Sequence, residues 1–267
     1  MEVEIVEATD DPEQLACTAA RNDYEDRWLG DETFGALMNP ISPADRDEIP
    51  EEVWRNQPAV TKDTTARMWT LITHLMDHGH WGPFEHPSIT FAVKGVSRSL
   101  MAQITRHRHV SFDIQSMRYV GFEDANPEPG EAVVQIPELD DPGLCGRNAE
   151  FDDRYEEYPD EDILEARRHE YEAAMKRAFK SYRNLIEMGT APENARMVLP
   201  IGTKVNMVFT LNARMLMHVA DMRAAADAQW EIREMTEDVL DEFHDWMPMT
   251  STYYDAEFKN RKNRLAP

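Results

Sequence analysis

Cysteine is scarce, with Cys17 and Cys145 the sole two in 267 residues. That excludes a secreted disulfide scaffold and points to a reducing cytoplasm. Long apolar runs are missing too: mean hydropathy is -0.62, and no stretch approaches the roughly 20 apolar residues of a membrane helix. The first residues, MEVEIVEATDD, lack the basic and apolar regions of a signal peptide, so a cytoplasmic protein is expected. Lysine is also short, at 7 of the 28 Lys and Arg residues. Against 51 acids this leaves a net charge of -23. Such a field repels polyanions, so neither nucleic acid nor an anionic membrane is an expected partner. An acid-rich, lysine-poor surface is that of a protein from a high-salt organism, where salt screens the self-repulsion. Hydrophobic residues, at 42%, still suffice for a sizeable core without metals or disulfides.

The basic residues are unevenly placed. His86–Gly121 holds Lys94, Arg98, Arg106, Arg108 and Arg118 against Asp113, and Arg196–Arg223 holds Arg196, Lys204, Arg214 and Arg223 against Asp221. Two positive islands in so acidic a chain fit a pocket for a small anion, or Arg side chains paired with acids from elsewhere in the fold. Charge alone leaves both open.

Hydrophobic spacing and stop signals predict strands at Val3–Ala8 (an edge), Ser88–Val96, Ala132–Ile136 and Val205–Leu211. They predict helices at Asp11–Arg21, Thr61–His78, Ser97 to about His107, about Asp160–Met188, Asn212–Met222 and Ala226–Trp246. Gly30–Gln57, with Pro40, Pro43 and Pro50, reads as loop with short helical turns. Phe122–Glu170 carries 17 acids against 4 basic residues. Strands and helices mix without a repeating βα unit, which makes the fold α+β. No linker divides the chain, so a single domain over residues 1–267 is expected, with an acidic excursion at about 122–158.

The densest chemistry lies in Arg106-His107-Arg108-His109 and the following Ser116-Met117-Arg118-Tyr119. Arg forks bind phosphate bidentately, and hydroxyls or backbone N–H groups complete such a site. The bland reading is that Arg and His at a helix C-terminus complement its dipole. His74, His78, His80, Glu85 and His86 have ligand chemistry at plausible spacing, but no H-E-x-x-H or H-x-E…C-x-x-C pattern is present, and no metal is expected. Neither cysteine reads as an activated nucleophile: Cys17 sits among small residues in a helix, and Cys145 lies in the acidic excursion.

Arg106-His107-Arg108, seven residues and then Ser116 resembles the RHR-x7-S signature of the flavin-dependent thymidylate synthases. HGHWGPFEHPSITF (His78–Phe91) is similar to that family's histidine-rich turn and strand. AR-x-VLP (Ala195–Pro200) and NARMLMHVADMRAAADAQWEI (Asn212–Ile232) are similar to its nucleotide-binding segment and following helix. The four segments stand in family order over more than half of the chain.

The resemblance implies a mixed β-sheet flanked by helices, assembled as a homotetramer around FAD. It also implies conversion of dUMP to dTMP, with methylenetetrahydrofolate as one-carbon donor and NADPH as reductant. Carried across, Arg106, His107, Arg108, Asn212, Ala213, Arg214 and His218 would meet the flavin, with Ile114 and Gly82. Gln103, Ile104, Thr105, Arg106, Ile114, Gln115, Ser116, Met117, Arg118 and Arg196 would line the dUMP site. Arg223 would sit against the uracil and favour its ionised form. At roughly 100° per residue Asn212 and Arg223 share one helix face, with Arg214 and His218 nearly opposite. Ile114 stands where the family often has an acid or amide, so backbone contacts alone are expected there, with neighbouring Asp113 or Gln115 as the candidate substitutes. Gly82 replaces a small hydroxyl residue, Asp23 replaces a serine, and the stretch 122–158 is longer than usual. A nucleotide- or flavin-binding module without methyl transfer, and a His-cluster metalloenzyme, are the alternatives; flavin colour and turnover discriminate them.

Overall fold

The computed structural model describes residues 1–26, 28–55, 60–140 and 161–259. Strands β1 (Glu2–Ala8), β2 (Ser88–Ser97), β3 (Ser111–Ile114) and β4 (Lys204–Asn212) form one sheet in the order β1-β2-β4-β3. The α-helices are α1 (Pro12–Asn22), α2 (Phe34–Met38), α3 (Glu51–Arg55), α4 (Lys62–Asp77), α5 (Arg98–Ile104), α6 (Glu161–Glu187), α7 (Pro192–Ala195), α8 (Ala213–Arg223), α9 (Trp230–Trp246) and α10 (Pro248–Glu257). The α+β expectation holds, but the sheet is antiparallel rather than mixed. Thr90 Oγ1 meets Thr210 Oγ1 at 2.9 Å while Gly95 N donates to Asn206 Oδ1 at 3.0 Å, so β2 and β4 run in opposite senses. On its other edge β4 also opposes β3: Phe112 meets Phe209, and Gln115 N donates to Asn206 O.

The residues divide into two compact units, 1–93 with 103–113 and 208–267, and 94–102 with 114–207. In the first, Ile89, Phe91 and Val93 of β2 alternate inward with Phe209 and Leu211 of β4. Helices α4, α8 and α9 bury apolar stripes such as Leu216, Met217 and Ala220 or Ile232, Val239 and Phe243. Polar side chains start these helices: Thr61, Asn212 and Gln229 accept from Thr64 N, Met215 N and Ile232 N, each satisfying a donor that the helix leaves unpaired. Gln229 explains why α9 begins at Trp230 and not at Ala226. Helix α5 also stops short of the expected His107, because His107 N donates to Ile104 O and Val110 N to His107 O. These tight turns carry the chain into β3 and place the Arg-His-Arg triplet on a bend.

In the second unit α6 packs Met175 and Phe179 on Val133, with Phe122, Tyr171 and Leu199 around them. The strand expected at Ala132–Ile136 reduces to isolated bridges of Val133 with Pro129 and Thr203. Pro129 and Pro137 flank the segment and remove ladder donors on both sides. Residues 141–160 of the acidic excursion, Cys145 included, lie outside the described residues.

Helix α10 was not anticipated. His244 of α9 ties it down, its Nδ1 2.6 Å from Leu240 O and its Nε2 2.8 Å from Asp255 Oδ2. A protonated ring can donate to both partners at once, so this geometry favours the imidazolium form. The Asp255 bond raises the His244 pKa, against burial and the Lys259 charge. A raised histidine pKa adds stability below the unfolded value near 6.5 and loses it as pH climbs through the folded value. Melting scans from pH 6 to 9 should therefore show Tm falling by about 2–4 °C more in the native protein than in His244→Gln, since a partly exposed pair contributes at most about 1 kcal/mol. Parallel curves would mean that the pair does not hold α10.

Candidate functional site

A cavity of about 530 Å³ opens in the first unit, within the range of small-molecule sites. Arg106, His107 and Arg108 enter it from the bend after α5, and Asn212, Arg214, His218 and Arg223 from α8 and its cap. Seven of the residues singled out from sequence thus converge here. The two faces expected of α8 do not lead to two cavities: Asn212, which caps the helix, and Arg214, His218 and Arg223, its last residue, all line this one.

Arg223 is held from two sides. Its Nε donates to His107 Nε2 at 3.0 Å and its Nη2 to Gln103 O at 3.2 Å. A guanidinium has five N–H bonds, so three remain beyond these two contacts. His107 is 6% exposed. Burial, then the charges of Arg223, His218 and Arg106, pulls its pKa down to about 4. It is therefore neutral at pH 7, as an acceptor for Arg223 must be. His218 meets His107 edge-on at 5.8 Å, and burial lowers its pKa as well, with Asp221 opposing. Its Nδ1 is buried with no hydrogen-bond partner among the described residues. A buried polar atom of this kind costs about 1–3 kcal/mol unless something satisfies it.

His109 of the basic cluster also lines the cavity, as does Glu85, which the sequence offered only as a metal ligand; Trp81, Met215 and Met222 are wall residues that sequence reasoning missed. Glu85 pairs with Arg214. Trp81 stood within the histidine-rich turn, but no spacing rule marked it. Other expected residues lie elsewhere. Ile104 is 1% exposed and packs with Phe209, Leu211 and Leu216, so its side chain is core. Ala213 is buried and its N–H donates to Pro87 O. Gln103 acts through its carbonyl, Thr105 is exposed, and Gly82 leaves open space where a Cβ would stand.

The remaining candidates belong to the second unit. Gln115 is committed to Asn206, with N–H given to its carbonyl and Oε1 accepting from its N–H. Ser116 Oγ accepts from Arg118 N at 3.2 Å, and Met117 is buried. Ile114 ends β3 half-buried. Arg118 lies over Tyr119 at 5.7 Å. Arg196 Nε donates to Glu193 O, and its charge helps burial to lower the pKa of Arg98. Neighbouring guanidinium groups of this kind are typical of a place prepared for an anion.

Among the described residues no three His, Cys, Asp or Glu come together as metal ligands. His74 and His78 pack their rings at 4.1 Å instead, with His80 at 6.3 Å from His78. Nor is any helix among them long and apolar enough to cross a membrane.

A family model described as thymidylate synthase complementing protein matches residues 4–249. The chain is 54% identical over 274 residues to a flavin-dependent thymidylate synthase of Haloarcula marismortui, with 100% of both chains covered. It is 50% identical over 270 residues to that of Halobacterium salinarum, again with full coverage of both. Among solved structures it resembles the UMP/dUMP methylase PolB from Streptomyces cacaoi bound with 5-Br dUMP. That match has a TM-score of 0.65 and 25% identity, over 96% of this chain and 94% of that one.

Proposed function

The chain belongs to the thymidylate synthase complementing protein family, and on that premise we propose that it methylates dUMP to dTMP through bound FAD. Methylenetetrahydrofolate gives the one-carbon unit and NADPH the hydride, and the working form is a homotetramer. The ledger balances as dUMP, methylenetetrahydrofolate, NADPH and a proton giving dTMP, tetrahydrofolate and NADP+. The observation that carries this reading is the convergence of the Arg-His-Arg triplet with Asn212, Arg214, His218 and Arg223 on one cavity.

The residues fit a flavin. Its ring edge carries both hydrogen-bond donors and acceptors, which a neutral imidazole with an unsatisfied Nδ1, as in His218, can match. FAD, when bound, accepts the hydride of NADPH and passes it on. Arg106, Arg108 and Arg214 supply positive charge for the cofactor's phosphates and for negative charge on its reduced ring. Asn212 offers its amide nitrogen, since its Oδ1 is spent on Met215 N. Arg196, Ser116 and Arg118 bind the nucleotide. Arg223 faces the uracil carbonyl oxygens, where a fixed donor stabilises charge as C5 becomes nucleophilic. His107 and the Gln103 carbonyl fix that donor before substrate arrives.

No thiol enters this scheme. Cys17 is fully buried, and burial together with Glu13 pushes its pKa up, which leaves an inert thiol. Cys17→Ala with Cys145→Ser should keep dTMP formation largely intact. Loss of turnover in a folded, FAD-bound double variant would reveal a thiol adduct.

The direct test is made in molar salt. The purified protein should take up FAD with its near-ultraviolet and blue bands, bleach with NADPH, and form dTMP when dUMP and methylenetetrahydrofolate are added. FAD uptake without dTMP would leave a binding module; no uptake would overturn the cofactor reading as well.

A further inference from the structure

The cavity has one aromatic wall that the scheme above does not use. Trp81 stands at the head of the 3-10 turn Gly82–Glu85, half-buried, with its ring lining the cavity. Phe258, which does not line the cavity, meets it edge-on at 5.7 Å and 78°, and Phe84, fully buried, packs at 6.1 Å. Phe258 follows α10 and is itself edged by Tyr253 at 6.3 Å, which in turn meets Trp69 at 5.8 Å. Tyr253 Oη donates to Asp77 Oδ1 at 2.7 Å. The buried carboxylate of Glu13 accepts from both Thr250 N and Thr250 Oγ1. Helix α10 is thus held at Thr250 and Tyr253, and Phe258, just after it, packs against Trp81.

Next to Trp81, Gly82 presents no side chain, and nothing lies within 4 Å of where its Cβ would stand. The indole is therefore the apolar surface that this turn offers a planar ligand. The same cavity is lined by Arg106, Arg108, Arg214 and Arg223, charges suited to the polar edge of a ring that becomes anionic on reduction.

We propose that Trp81 is the ring-contacting residue for the isoalloxazine of the flavin, and that Phe258 is a positioning residue that holds the indole in place. This rests on the reading of the cavity as the flavin site. An indole in contact with an excited flavin quenches its emission by lending one electron, which returns at once, so nothing is consumed. A phenyl or aliphatic side chain does not. Stacking also buries aromatic area and adds affinity.

The test uses apoprotein in molar salt, titrated separately with FAD, FMN and ADP. In wild type, bound FAD and FMN should be strongly quenched. Trp81→Phe should restore emission with little loss of affinity, and Trp81→Leu should weaken both flavins on the order of tenfold while ADP binding stays unchanged. Phe258→Leu should lengthen the emission lifetime in the wild-type background and change nothing in the Trp81→Leu background, because its effect passes through the indole. Circular dichroism confirms that each variant is folded. Unaltered quenching and affinity in folded Trp81→Phe and Trp81→Leu would overturn the proposal and leave the flavin reading standing. Lost ADP binding with FMN binding intact would overturn it in favour of an adenine contact. Failure of wild type to bind any flavin would overturn both.

Discussion

Arg223→Ala should cut methyl transfer to dUMP by about 10²–10³ in kcat, the cost of losing one preorganised donor to a developing oxyanion. Flavin content should fall far less, and bleaching by NADPH should survive, because hydride delivery to the flavin does not call on that guanidinium. The structure sharpens the reason. Arg223 spends Nε on His107 and one Nη2–H on Gln103 O, so its remaining donors point from a fixed base. That base is insensitive to pH across the neutral range, because His107, pulled down to about 4, stays an acceptor. Arg223→Lys should rescue little: an ammonium cannot hold two anchors and still present a planar pair of donors. Arg214→Ala is the contrasting variant. Arg214 is tethered to Glu85 on the cavity wall, and its loss should lower flavin occupancy itself. One absorbance spectrum and two rates per variant make the comparison. Normal turnover of Arg223→Ala in excess FAD, after loss of its bound flavin, would make Arg223 a cofactor residue and dissolve the proposed division of labour.

The triplet at Arg106–Arg108 and the α8 residues were legible because their chemistry is polar, dense and unusual in so acidic a chain. What the sequence hid was geometric. An angular count along α8 separates Arg223 from His218, but long side chains at a helix end converge where Cβ directions diverge. Strand β3 is four residues, SFDI, too short to show a period. Helix α10, PMTSTYYDAE, spreads its apolar residues without a clean stripe, and its place is fixed by distant partners such as Glu13. Ile104 and Ala213 were carried over as site residues although their side chains are apolar, and they face the core. Trp81 carried no local signal at all. Its role depends on Phe258, which lies 177 residues further along the chain, and no periodicity spans that gap.

Dilution out of molar salt should dissociate the proposed homotetramer and release its flavin. Each chain carries -23, and a tetramer carries four times that in one volume. At 1 M salt the Debye length is about 3 Å, so neighbouring surface charges barely interact; at 0.1 M it is about 10 Å and the repulsion reaches across subunits. The strain is visible within a single helix. Asp238 of α9 sits one turn from Glu234 and one from Asp241, and its pKa is raised by burial and then by those two carboxylates. A carboxyl group raised in the folded state loses its stabilising contribution as pH climbs through the folded value, so at neutral pH ionised Asp238 works against the fold. Like-charge pairs at this spacing cost about 0.2–0.5 kcal/mol each when unscreened. Asp238→Asn should therefore raise Tm more at 0.1 M salt than at 2 M, where screening has removed the neighbours' share of the penalty and left that of burial. Light scattering with flavin absorbance follows the assembly, and melting scans follow the variant. A wild-type particle that keeps its mass and flavin at 0.1 M would show that the acidic surface is tolerated without salt. An Asp238→Asn gain of equal size in both salts would show that burial of the carboxylate, and not its neighbours' charge, is what destabilises α9.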